Sequence, residues 1–173
     1  MIVATSGTPG TGKSSVRKEI ARRGYYTLEL SDYARAKGFV TGVDASRGSE
    51  EVDVEALGRS LHVVAKMAFL FGHFAHRVPA NTVVILRCKP SVLAKRLEAR
   101  GWPGPKVREN VEAEAIDLIT QEALRRNPHV FEVDTTSLRP AESAAEILGI
   151  LKGDTKGHEP GGIDWSGEVL SWY

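Results

Sequence analysis

The sequence has 173 residues, 42% of them hydrophobic, and a formal net charge of +1 from 23 basic and 22 acidic side chains. That length suits one domain burying about 70% of its unfolded surface, and the balanced charge excludes a bulk field that would recruit nucleic acid or membrane. A single cysteine, Cys88, excludes an internal disulfide and reads as a small core residue.

The most apolar window, 63–74, is interrupted by Lys66, Gly72 and His73 and is shorter than the roughly 20 residues of a membrane span. No basic region precedes the first apolar residues, so a signal peptide is not expected. The expectation is a cytoplasmic protein.

In chain order, Ile2-Val3-Ala4 predicts a first strand that runs into Gly7-Thr8-Pro9-Gly10-Thr11-Gly12-Lys13-Ser14, a match to GxxxxGK[ST]. A phosphate chain needs backbone N–H groups turned into a tight concavity, and glycines let the main chain approach without a Cβ clash. Lys13 then reaches the β- and γ-phosphates, and Ser14 is placed to put its hydroxyl on Mg²⁺. The helix that starts there aims its unsatisfied N–H groups at the same anion.

Val16 and Ile20 predict a helix over 14–23, closed by Gly24. Residues 25–30 read as a second strand, and Ser31 as the cap of a short helix over 32–37 that Gly38 ends. Asp32 and Arg35 stand one turn apart at that strand's carboxyl end, where Arg35 either holds the phosphate of an acceptor nucleotide or is merely solvated. Residues 39–53 turn polar and Gly-rich, predicting a weakly structured segment that covers a ligand.

A helix over 54–66, weakened by Gly58, precedes a short buried strand over 68–71 that delivers Gly72 and His73. His73 is a candidate to orient or deprotonate an attacking group, with a satisfied loop histidine as the alternative; His76 reads as structural. Residues 82–86 are the mark of a central parallel strand, with Arg87 leaving its end.

Pro90 starts a helix over 91–100 that Gly101-Trp102-Pro103-Gly104-Pro105 breaks. A long helix is predicted over 107–126, a fifth strand over 130–133, and an amphipathic helix over 140–151. Strands alternating with helices argue an α/β fold with a doubly wound parallel sheet. The tail, 152–173, carries Trp165 and Trp172 and reads as docked on its own domain, with a partner-binding peptide as the alternative.

Phosphoryl transfer asks for positioning and for cations around the migrating group. The candidates are Arg87, Arg96, Arg100 and Lys106. Arg96 and Arg100 share a helix face beside a Gly/Pro hinge, which suits either a lid over phosphates or a solvated stripe.

The stretches GTPGTGKSS, SDYARAKG, GHFAH, VILRCKPSVLAKRLEARGW with KVREN, and Arg139-Pro140 resemble the atypical adenylate kinases of eukaryotic nuclei and archaea, which also act as ATPases in small-subunit ribosome assembly. The resemblance spans nearly all the chain. It implies a P-loop fold over 1–151 with a five-stranded parallel sheet, a nucleoside-monophosphate-binding region near 30–52 and a small lid near 99–109.

Carried over residue by residue, it puts Gly10, Gly12, Lys13, Ser14 and Ser15 on ATP phosphates, Arg100 closing from the lid, and Arg139 over the adenine. His73 matches the family's catalytic histidine and Lys106 its lid lysine. Many members carry a carboxylate two residues before that histidine, acting on the metal's water shell. This chain has Phe71 there, which leaves Mg²⁺ on Ser14, phosphates and waters.

The leading expectation is ATP-dependent phosphorylation of AMP to give two ADP. An ATP-switched assembly factor that binds a small-subunit ribosomal platform protein is a rival, as is a kinase for a non-nucleotide small molecule.

Overall fold

Side chains alternate along a strand, so a sheet that carries apolar residues at successive positions must be covered on both faces. The computed structural model describes residues 1–44 and 49–170. Its first half runs β1 (Ile2–Ser6), α1 (Lys13–Arg22), β2 (Tyr26–Glu29), α2 (Leu30–Lys37), β3 (Val40–Asp44), β4 (Ser49–Val52), α3 (Val54–Ser60), β5 (Ala68–Phe71) and a 3-10 helix at Ala75–Arg77. Its second half runs β6 (Thr82–Arg87), α4 (Pro90–Glu98), α5 (Gly104–Ala115), α6 (Leu118–Leu124), β7 (Val130–Asp134), α7 (Pro140–Ile150) and α8 (Ser166–Leu170).

Five strands form one sheet in the order β2-β5-β1-β6-β7, and every neighbouring pair is parallel. Parallel neighbours need crossover connections, which places helices on both faces. Val3, Phe69, Phe71, Val84 and Leu86 pack with Val16 and Ile20 of α1 and Ala144 and Ile147 of α7. Ala4, Leu70, Val83 and Ile85 pack on the other side with Leu30 and Ala34 of α2, Leu57 of α3 and Ala123 of α6. The fold is therefore the expected α/β arrangement around a central parallel sheet.

A third, smaller apolar cluster joins α4 to α5 through Leu93, Leu97, Val107 and Val111, with Trp102 against it. The turn between these helices thus rides on packing of its own.

Four local expectations are corrected. The segment 39–53 is no weakly structured loop: β3 and β4 pair antiparallel, and Val40 and Val52 anchor the hairpin on the sheet's second face. Residues 45–48 lie outside the described residues. Ser31 is not a cap, because α2 already begins at Leu30 and no side chain caps it.

The helix expected to reach 66 stops at Ser60, whose carbonyl accepts from the Tyr33 hydroxyl at 3.3 Å. Val64, read as part of its apolar side, is fully exposed. The helix expected over 107–126 is two helices. Asp117 between them takes a left-handed conformation at φ 56°, and its carboxylate pairs with Arg87. Aspartate tolerates that region better than most residues.

The tail adds backbone to the sheet edge. Glu132 N donates to His158 O at 2.8 Å, and Glu168 of α8 accepts from Ser91 N at 2.8 Å. Trp172 and Tyr173 lie outside the described residues. Among the described residues no helix is long and apolar enough to cross a membrane.

Candidate active site

The glycine loop turns tightly at the carboxyl end of β1, where only glycine fits. Gly7 has φ +144° and a Cβ there would stand 2.4 Å from Leu86 O; Gly10 has φ +97° and a Cβ would meet Leu93 at 2.7 Å. Two tethers hold the loop in place. Thr135 Oγ1, beyond β7, reaches Thr11 O at 2.8 Å, and Thr8 Oγ1 donates to Glu114 Oε2 at 2.6 Å.

Lys13 at the first turn of α1 curls back over the loop and donates to Gly7 O at 2.6 Å and Thr8 O at 3.0 Å. Enclosure pulls its pKa down to about 8; Glu29 and Glu114 oppose that and Arg100 adds to it. An ammonium held in this way is a preformed anion contact. Gly12 caps α1 with φ +97°, and Ser14 and Ser15 are exposed beside it.

His73 stands exposed past β5, its ring edge-on to Phe74 at 5.0 Å. Desolvation by the surrounding protein lowers its pKa to about 4, with smaller contributions from Lys13, His76 and Arg77. The ring is therefore neutral near pH 7 and able to accept a proton. His76 is buried: its Nδ1 is 2.9 Å from Ser6 Oγ and its Nε2 2.9 Å from Glu122 Oε2.

Arg100 is exposed in the turn just past α4, where its charge reaches Lys13. Arg96, one turn earlier, bonds the carbonyls of Thr135 at 2.8 Å and Thr136 at 3.1 Å. Lys106 lies 4.6 Å over the Trp102 ring. Arg139 is 81% exposed and pairs with Glu142 at 2.6 Å at the start of α7. On the other side, Arg35 donates from Nε to both oxygens of Glu50 and from Nη1 to Asp32 at 3.0 Å.

Arg87 is a correction. Proposed as a cation around the phosphoryl group, it is 1% exposed and spent on Glu114, Glu132 and Asp117. Its guanidinium holds β6, β7 and the α5–α6 junction together, with Nε, Nη1 and Nη2 all turned onto their carboxylates and the Glu114 carbonyl.

Glu29 was not anticipated. It stands in register with Phe71 on the neighbouring strand, so both point to the α1 face. Phe71 is fully buried core, whereas Glu29 reaches Arg17 at 4.0 Å and acts on Lys13. Burial raises its pKa, and Lys13 and Arg17 oppose the rise. A carboxylate closing the strand that follows the glycine loop and its helix was the available signal.

A strand, a glycine cradle and a helix N-terminus at the carboxyl edge of a parallel sheet define a P-loop NTPase fold. A profile of the AAA domain family matches residues 3–117. A protein of Archaeoglobus fulgidus named "Putative adenylate kinase" is 37% identical over 98% of this chain and 94% of its own length. A Thermococcus onnurineus protein of the same name is 43% identical over 97% of this chain and 93% of its own length.

Among solved structures, shikimate kinase from Acinetobacter baumannii superposes with a TM-score of 0.63 at 14% identity, covering 90% of this chain and 94% of that one. That likeness concerns the fold. The chain belongs to the family of these archaeal adenylate kinase-named proteins.

Proposed function

We propose that the protein is an adenylate kinase that moves the γ-phosphoryl group of ATP onto AMP. The observation that carries this reading is the preformed glycine cradle with Lys13 Nζ held over Gly7 O and Thr8 O, near enough to Glu29 of β2, to Arg100 just past α4 and to His73 past β5 for their charges to be felt. The acceptor approaches from the α2 side, where releasing Glu50 would free Arg35 for its phosphate.

An AMP phosphate oxygen attacks the γ-phosphorus as the bond to the β–γ bridging oxygen breaks, leaving ADP on both sides. Lys13 and Arg100 stabilise the charge that spreads over the migrating group. The neutral His73 ring orients the attacking phosphate, or takes its proton where it carries one. Arg139 is the residue assigned to the adenine side, and Arg96 and Lys106 brace the lid.

Mg²⁺ would be held by the Ser14 hydroxyl, which is exposed at the first turn of α1, together with oxygens of ATP and water. A hard cation takes such oxygen donors, so the residues present fit it. When bound, the ion neutralises phosphate charge. The same proposal includes ATP hydrolysis and a small-subunit ribosomal platform protein as partner, through the family resemblance, with the cytoplasm as its place of work.

The test is product analysis with ATP and each nucleoside monophosphate. ADP formed in a two-to-one ratio to AMP consumed supports the kinase. Free phosphate alone, released faster with the platform protein, would replace it by the assembly switch.

A further inference from the structure

A second cluster of cations lies on the sheet face opposite α1. Arg77 of the 3-10 helix and Arg125 and Arg126, which follow α6, line a cleft of about 500 Å³ together with Glu122. The three guanidinium groups are exposed, and none makes a side-chain hydrogen bond or ion pair among the described residues. Glu122 is the cleft's one acidic lining residue, and its Oε2 is already engaged with His76 Nε2 at 2.9 Å.

Three like charges around one hollow repel one another unless an anion joins them. Planar guanidinium forks match phosphate oxygens in pairs. The hollow falls within the size range of small-molecule sites. It offers no aromatic side chain on which a nucleic-acid base could stack, the usual second half of a single-strand site.

We infer that this cleft binds a small phosphate-bearing anion of pyrophosphate size, at a place separate from the glycine cradle and linked to it through Glu122, His76 and Ser6. The link is a row of contacts: Glu122 to His76 Nε2, His76 Nδ1 to Ser6 Oγ at 2.9 Å, and Ser6 Oγ donating to His73 O at 3.0 Å. Ser6 is the last residue of β1, immediately before Gly7.

An occupant satisfies the arginines and leaves Glu122 to His76. It also offsets Arg77 and Arg126, which act on the His76 ring along with Glu122. The site thus couples an anion on one sheet face to the strand that carries the cradle on the other.

The experiment is a pyrophosphate titration of the full chain, followed by NMR of the arginine Nε–Hε groups, the His76 ring and the backbone of 7–15. Saturable shifts at Arg77, Arg125, Arg126 and His76 are expected. In Arg125→Glu/Arg126→Glu the shifts at Arg77 and His76 weaken by at least about tenfold in apparent Kd, while 7–15 keeps a saturable response of its own from anion bound at the cradle. All replaced side chains are exposed, and Arg77→Ala serves as a second variant that leaves α6 untouched.

A response confined to 7–15 would overturn the proposal, as would an unchanged response in both variants. So would a short single-stranded RNA that moves the arginine signals where pyrophosphate does not.

Discussion

Thr8 in the glycine loop and Glu114 near the end of α5 meet at 2.6 Å across 106 positions of sequence. The other oxygen of Glu114 takes Arg87 Nε at 2.7 Å and Cys88 N at 3.1 Å. The glycine loop and the helix that follows the turn after α4 are therefore fixed to one carboxylate, whose pKa burial raises against the pull of Arg87. Thr8→Val removes a donor from a buried acceptor, at a cost of about 1–3 kcal/mol. Urea unfolding should record that loss, and kcat/KM for ATP should fall with it.

Arg87 faces three carboxylates, so removing the cation is worse than removing one acid. Arg87→Met should cost about 3–5 kcal/mol or prevent folding, since it strands like charges out of water. Glu132→Gln, which leaves Arg87 two carboxylates, should cost less. Comparing the two variants' denaturant midpoints checks the order; equal losses would contradict it.

Lys13 gives opposite signs for ligand binding and stability. The folded pKa of about 8 lies below the usual lysine value of 10.5, so above pH 8 the folded state sheds its proton first. Between those values the unfolded chain binds more protons, and stability rises with pH. ATP affinity should do the reverse, weakening as pH passes 8. Lys13→Ala should lower turnover by about 10²-fold or more without lowering the melting temperature, since burying this ammonium disfavours the folded state.

His73, with its pKa near 4 against 6.5 unfolded, keeps a neutral ring through mild acid. The acid limb of kcat/KM should then show no histidine step near 6.5. Stability should decline as pH falls from 6.5 towards 4, because the unfolded state takes up the proton first. His73→Gln should reduce kcat by about 10²-fold, measured with ATP and AMP at saturation.

Glu29 is the carboxylate that faces Lys13 from β2, where the neighbouring strand has Phe71. Glu29→Gln should lower the Lys13 pKa further, since this carboxylate opposes the desolvation of that ammonium, and the alkaline weakening of ATP affinity should move to lower pH. Phe71→Asp buries a charge in a filled apolar layer and should destabilise by several kcal/mol without strengthening Mn²⁺ binding to the ATP complex, read by paramagnetic relaxation of water.

The cradle was legible because its chemistry is local: glycines, a lysine and a hydroxyl at fixed spacing between a strand and a helix. The sheet was legible because 68–71 and 82–86 are too apolar to be anything but covered strands. Arg87 was misread because its partners lie 27, 30 and 45 positions away, and a cation at a strand's end looks the same whether it meets phosphate or carboxylates. The break at Asp117 escaped for the same reason, since only its distant ion pair explains the left-handed turn. The β3–β4 pairing hid behind charged residues, with Val40 and Val52 pinning it to the core among the described residues.

Glu132 is the meeting point of early and late chain. Its Oε1 serves Arg87 and Thr120, while its Oε2 accepts from Gly161 N at 3.0 Å and its main chain pairs with His158. Without 158–161 that acid would lose its Oε2 partner beside the most deeply buried guanidinium among the described residues, so the last strand of the sheet depends for its polar closure on a segment well downstream of it.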